Sequence, residues 1–414
     1  MALPATLNVS LNFGSGATFG NPFTIGDPIN GVLGVGVLSD SSNPALIVDL
    51  TSQTRRISIR RGRNVNRDIY EAGTCVVRIY DPSGEFNPQN ISSPYYGQLT
   101  PLRKLRISAS TGGTTYYLFS GYTTDYAYSY DQAENVSYVD ISASDAFRLF
   151  NLASVIAVTG ASAGQDTGTR INKILDTVSF PNSMRSIETG NSLTVNDPAT
   201  LRTSLSALQN CEFSEQGAFY ITPEGNAIFK NRNTVISSAG ATPTEFNQTG
   251  GIPYKNLKFA FDDKLIINTA TMTKVSGVAQ TAVDANSIAT YFPHSISVAD
   301  LIIDTDANAM NIAKVYVATR ATTTIRIDQM TLDLFDPNVP TATILGMDYF
   351  DNVLITNIQP DSSTITKNLQ VQGVTHDITP NSWITTLTTL EPIVDGFIIG
   401  NSTYGVIGED ILSY

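Results

Sequence analysis

The sequence predicts a mainly β, multidomain protein with a smaller α+β part. Three observations carry that prediction. Short segments rich in β-branched and aromatic residues recur along the chain, each closed by Gly, Asn, Asp or Pro. Near residue 142 the apolar spacing becomes helical, and it returns to strand-like beyond residue 250. The 414 residues, 42% of them hydrophobic, suffice for several domains and a sizeable core, and no repeat of fixed period divides them.

The first strand signals are LNVSLNF, ALIVDLTS, RRISIRRG, TCVVRIYD, KLRISAS, TTYYLFSGYTTDYAYSY and VSYVDISAS. Within RRISIRRGRN, residues 55–64, Ile57 and Ile59 alternate with charged or polar neighbours. The simple reading is a strand with a solvated basic face; the functional one is a basic surface, with Arg60, Arg61 and Arg63, that docks on an acidic partner or subunit. YDPSGEFNPQN, residues 80–90, is a hard turn. Pro82 fixes φ, Gly84 can take φ > 0, and Asp81 and Asn87 can bond their own backbone. With Phe86, Pro88, Asn90, Tyr95, Tyr96 and Arg103 it reads as a loop projecting from a strand pair. The tyrosine run with Tyr122, Tyr126, Tyr128 and Tyr130 reads as a half-exposed sheet, serving either a contact surface or ordinary cross-strand pairing.

From residue 142 helices are expected. SASDAFRLFNLASV is read as a short helix capped by Ser142 or Ser144. TRINKILDTVSFP repeats Ile171, Ile174, Leu175 and Val178 at helical spacing, and Pro181 closes it. DPATLRTSLSALQNCEF is read as a helix with Asp197 as cap, Pro198 at its first position, and Leu201, Leu205 and Leu208 on one face. A hairpin turning at Pro223-Glu224-Gly225 follows. LKFAFDD, LIINTATMTKV, TTTIRIDQMTLDLF, DYFDNVLITNI, LQVQGVTHDITP and SWITTLTTLEPI are the later strands. One further helical stretch lies between residues 286 and 320, where Asp304 and Asp306 are read as turn and helix cap. Residues 393–414 form a glycine-punctuated tail.

Composition excludes several classes of function. Charged residues make up only 15% of the chain, against about a quarter in ordinary domains, and net charge is -12. Such a chain is a poor holder of phosphate backbones. The two histidines, His294 and His376, form no HExxH-like array, and neither GxSxG nor GxxxxGK[ST] occurs. VLGVGVL, residues 32–38, lacks the third glycine of a dinucleotide fingerprint. DTDAN, residues 304–308, lacks the remaining ligands of a calcium loop, and Asp262 with Asp263 gives no spatial case for a glycosidase pair. No enzyme, cofactor or metal is expected. Cys75 and Cys211 are read as two buried free thiols. No stretch is apolar enough to span a membrane, and the N-terminus does not read as a secretory signal, so a soluble, non-exported chain is expected.

In order and spacing, these segments resemble the minor tail or baseplate hub proteins of long-tailed bacteriophages. The shared layout falls on Arg61, Gly62, Arg63, Gly73, Asp81, Gly84, Phe86, Pro88, Asn90, Leu99, Pro101, Arg103, Leu105, Arg106 and Ile107. The helix-then-hairpin unit ending at Arg232 and the late strands with Trp383 extend the likeness over residues 50–392. The resemblance implies an N-terminal extension at 1–45 and a tail-tube-like β-barrel domain at 46–141. A helix-plus-hairpin domain follows at 142–235, then a second tube-like β domain with a helical insertion at 236–392, and a C-terminal tail. It further implies a structural protein of the virion, assembled in the host cytoplasm, that forms a ring at the tail tip and continues the DNA channel. The implied partners are further copies of the chain (three in preference to six), the tail tube or distal tail protein, tail fibre or tip proteins, and the tape-measure protein. Phage DNA would pass without specific binding. The alternative is a receptor- or glycan-binding protein of the tail tip.

Overall fold

The structure, a computed structural model, describes residues 3–14, 16–19, 47–64, 68–131 and 136–392. The sequence readings for VLGVGVL, most of the N-terminal extension and the C-terminal tail lie outside those residues. The described chain begins with β1 (Thr6–Asn12), β2 (Ile47–Asp49), β3 (Thr54–Asn64), β4 (Ile69–Tyr80), β5 (Lys104–Thr111), β6 (Thr114–Asp131) and β7 (Val136–Ser144). A mixed unit follows: α1 (Phe147–Leu152), β8 (Ser154–Val155), α2 (Thr167–Thr177), β9 (Arg185–Ile187), β10 (Arg202–Thr203), α3 (Ser204–Glu215), β11 (Ala218–Ile221), β12 (Ala227–Lys230) and α4 (Arg232–Ser238). Next come β13 (Thr244–Asn247), β14 (Lys255–Ala260), β15 (Thr269–Lys274), β16 (Gln280–Val283), α5 (Ala285–Tyr291), β17 (Ser295–Leu301) and α6 (Asp306–Arg320). The last elements are β18 (Arg326–Asp333), α7 (Thr341–Leu345), β19 (Asn352–Ile358), β20 (Thr364–Thr379) and β21 (Ser382–Leu390).

The two strand-rich stretches join in one 13-stranded sheet, ordered β14-β18-β21-β20-β3-β4-β7-β6-β5-β1-β2, with β19 on β20 and β13 on β19. The seam is the antiparallel pair of β3 and β20, where Gly62 stands opposite Gly373. A Cβ on Gly62 would sit 3.3 Å from the Gly373 Cα, so the two bare backbones permit the close approach. β20 lies along β21 on one side and divides its other side between β19 and β3. One core spans both halves, with Ile57, Val77, Ile107 and Ile141 from the first and Met330, Val353, Leu369 and Trp383 from the second. Among the described residues the ladder does not close; β2 and β14 stand at its ends.

Two smaller cores lie beside it. One is built by α1, α2, α3 and the β11–β12 hairpin, around Phe147, Phe150, Ile171, Leu208 and Phe219. The other packs α6 on the three-stranded sheet of β16, β15 and β17, around Met272, Leu301, Ile312 and Tyr316. The helical insertion expected after residue 236 thus brings its own sheet, and VADL belongs to β17 instead of the helix.

Three helix starts differ from the sequence reading. Ser142 and Ser144 lie on β7, and the Asp145 carboxylate serves α1 by accepting from the Phe147 amide at 3.0 Å. The third helix begins at Ser204 with Thr203 as cap. Asp197 is drawn away to Arg202 and the amides of Val158 and Ala199, leaving Leu201 exposed before the helix. Thr305 caps α6, while the Asp304 carboxylate accepts from the Asn308 side chain and that of Asp306 from the Val278 amide.

Candidate functional site

The loop between β4 and β5 is organised by one buried carboxylate. Asp81 accepts from the amides of Glu85 and Phe86, each at 2.9 Å, and from the Tyr130 hydroxyl at 2.6 Å. Burial and the Asp81 charge both raise the Tyr130 phenol above its ordinary range, so it stays a donor. Gly84 turns the chain at φ 63°. Phe86 is fully buried against Tyr95 at 5.0 Å, and Tyr95 stacks on Phe13 at 5.5 Å. Asn90 donates to the Gly84 carbonyl at 2.9 Å, and Arg103 to the carbonyls of Gln98 and Phe13. The loop therefore holds its shape by its own side chains together with Phe13 and Tyr130. What it offers outward is Pro82, Pro88, Ile91, Pro94 and Tyr96, with Ile91 78% and Tyr96 53% exposed.

The tyrosine run divides the same way. Tyr122 and Tyr126 are buried, Tyr122 donating to the Ala17 carbonyl at 2.6 Å. Tyr130 anchors the loop, and Tyr128 is exposed and stacked on it with centroids 5.5 Å apart. Cys75 and Cys211 are free thiols, both buried, and burial raises the pKa of each.

The basic strand has two faces. Arg56 and Arg60 point to solvent, Arg56 pairing with Asp377 at 2.8 Å. Arg61 continues the buried side of Ile57 and Ile59, so it is not on the solvated face the alternation predicted. Its guanidinium reaches Asp348 at 3.0 Å and the Ile221 carbonyl at 2.9 Å, and lies 4.8 Å over the Tyr349 ring. Despite burial, Asp348 and Tyr349 hold it charged. It ties the large sheet to the β11–β12 hairpin. Arg63 turns inward likewise and pairs with Asp68 at 3.3 Å. Tyr316 and Arg320 of α6 reach the same carboxylate, Tyr316 at 2.7 Å. Burial pushes Asp68 up, but Arg63 and Arg320 outweigh it and hold the carboxyl below its ordinary value.

The two arginines thus join all three cores. A cavity of about 470 Å³ opens at this junction, with Tyr70, Glu212, Tyr316, Arg320 and Gln372 in its wall. Burial raises Glu212 to about 8; the Phe219 amide and Arg63 offset this only in part. Asp145 is raised by burial to about 7, although it accepts from the Gly73 amide at 2.6 Å. A Cβ on Gly73 would come within 2.8 Å of the Asp145 carboxylate and 3.1 Å of Arg61. The arginine partners Asp68 and Asp348, and the buried acids Asp145 and Glu212 near them, escaped the sequence reading. The available signal was an arginine on the apolar side of a strand, which demands a buried acid. Among the described residues no group of three or more His, Cys, Asp or Glu side chains could hold a metal ion, and no helix is long and apolar enough to cross a membrane.

No protein family profile and no curated protein matches the sequence. Solved structures do. A 43 kDa tail protein of prophage MuSo2 from Shewanella oneidensis matches with TM-score 0.52 at 12% identity, over 85% of this chain and 97% of that one. A tail protein from Neisseria meningitidis MC58 matches with TM-score 0.55 at 12% identity, over 84% of this chain and 94% of that one. This chain has the fold of phage tail proteins. Both matches run nearly the whole length of the tail protein concerned, so the likeness covers the multidomain arrangement and not one module. At the level of fold, the resemblance read from the motifs holds.

Proposed function

We propose that this protein is a structural component of a bacteriophage tail tip, where copies of the chain form a ring that links tail tube to baseplate and continues the DNA channel. The observation that carries this reading is the near full-length fold match to two tail proteins. The ends of the 13-stranded sheet, unpaired among the described residues, support it. β2 and β14 are different strands, so a contact between copies that joins one edge to the other is heterologous, the kind that generates rings. Three copies are favoured, because two β halves per subunit approximate a sixfold wall. The outward tip of the β4–β5 loop, with Pro88, Ile91 and Tyr96, and the solvated residues Arg60 and Tyr128 are the proposed contacts to neighbouring copies, tube or tip proteins. Asp81, Phe86, Asn90, Arg103, Tyr122, Tyr126 and Tyr130 hold the chain's own shape, and Tyr95 shapes the loop from beneath.

The net charge of -12 suits the wall of a channel past which phosphates slide. The work is assembly, with no chemical step. Electron microscopy of the purified chain tests the reading: end-on rings with an open lumen are expected, and a field of isolated, compact particles at every concentration opposes it.

A further inference from the structure

Phe292 closes α5 with φ 64° and ψ 171°, a backbone region that is essentially glycine-only. Yet its ring is 81% exposed. The conformation is held from both sides by the buried Asn268, whose amide donates to the Phe292 carbonyl and whose oxygen accepts from the His294 amide, each at 2.8 Å. The chain therefore holds an aromatic side chain in a strained place and gains almost no burial from it. A contact between His294 and Asp263, at 4.0 Å, brings this turn toward the end of the β14–β18 ladder, where Ala260 pairs with Arg326 and the next residues outward are Phe261, 70% exposed, and Ile325. Asp263 is exposed and has no Lys or Arg partner among the described residues. The result is an apolar patch around Phe261 and Phe292 with the Asp263 carboxylate, which meets only His294 among the described residues, at its rim.

A second, different apolar patch lies on the mixed unit. Arg202 pairs with Val155, so Leu201 and Ile156 are neighbours one step along, and Leu152 ends the helix that leads into β8. Leu201 is 73% exposed, and Ile156 and Leu152 are exposed as well. Arg148, four residues before Leu152 on α1, is exposed and makes no ion pair among the described residues. The two patches are apolar, unlike each other, and rimmed by charges of opposite sign.

We infer that the Phe261–Phe292–Ile325 patch of one copy seats on the Leu152–Ile156–Leu201 patch of a second copy of this chain, with Asp263 facing Arg148. This names a partner surface for the ring proposed above and rests on that reading. Strain explains the choice of residue: a ring held out rigidly loses little freedom when it docks.

The test is a set of variants measured by light scattering and thermal melting. Phe292→Gly relieves the strained backbone, so its melting temperature is expected to equal or exceed that of the unaltered chain, while its association weakens at least tenfold. Asp263→Arg and Arg148→Glu should each weaken association, and the double variant should restore it. If the unaltered chain assembles and these variants assemble equally well, the patch pairing is wrong and the ring stands on other surfaces. If the unaltered chain is monomeric throughout, both fail. Binding to phosphatidylcholine vesicles that is lost in Phe292→Gly would make the patch a membrane contact and overturn the pairing.

Discussion

Single residues in this protein act as staples, and the β4–β5 loop and the basic strand β3 are where several of them sit. Asp81 alone satisfies two loop amides and a phenol. Asp81→Ala should cost about 2–4 kcal/mol in urea unfolding, since it strands buried donors, and Asp81→Asn less. Gly73→Ala should cost about 1–3 kcal/mol by the same measurement, because the added methyl has nowhere to go between Asp145 and Arg61. Glu212 gives a pH signature. Its folded pKa, about 8, lies above the unfolded value, so the carboxyl is protonated in the fold. Its contribution is complete below the unfolded pKa and fades as pH rises toward 8. The melting temperature should therefore fall between pH 5 and about 8.5, and Glu212→Gln should flatten that fall. An unchanged slope in the variant would show that Glu212 is not the titrating group. The glycines and arginines of the motifs were legible in sequence as positions. Their role was not, because Asp348 stands 287 residues from Arg61 and no local pattern links them.

At the scale of elements, strands were easier to read than helix ends. Alternation placed β3, β4, β18 and β21 because each buries one face, and burial writes the period-two pattern directly. Helix starts misled where a capping residue had a better partner. Asp197 had the right chemistry for a cap, but Arg202 and two amides claim it, and Thr203 caps instead. The β4–β5 loop was recognised as a turn, while the split between inward staples and outward tip needed the fold. That split makes a prediction. Ile91→Ser with Tyr96→Ser should leave stability within about 0.5 kcal/mol, since neither side chain is buried. The same pair should weaken self-association or binding to a tail-tube neighbour, measured by sedimentation. A large loss of stability with assembly intact would return the tip to a purely structural role.

For the whole molecule, the likeness read from motif order and the fold match agree on a tail-protein architecture. Sequence could not show that the two β halves fuse into one sheet and one core, because the Gly62–Gly373 seam joins residues more than three hundred positions apart. Fusion matters for the proposed role. A subunit whose halves share a core transmits load from one edge of the sheet to the other without an internal hinge, which suits a ring under a tail tube. The central claim is that copies of this chain assemble through unlike surfaces into a closed ring. Its most direct test is the solution mass of the purified chain by light scattering over a wide concentration range. A stable species at three times the 44.5 kDa chain mass is the predicted result, and a strict monomer at every concentration would contradict it.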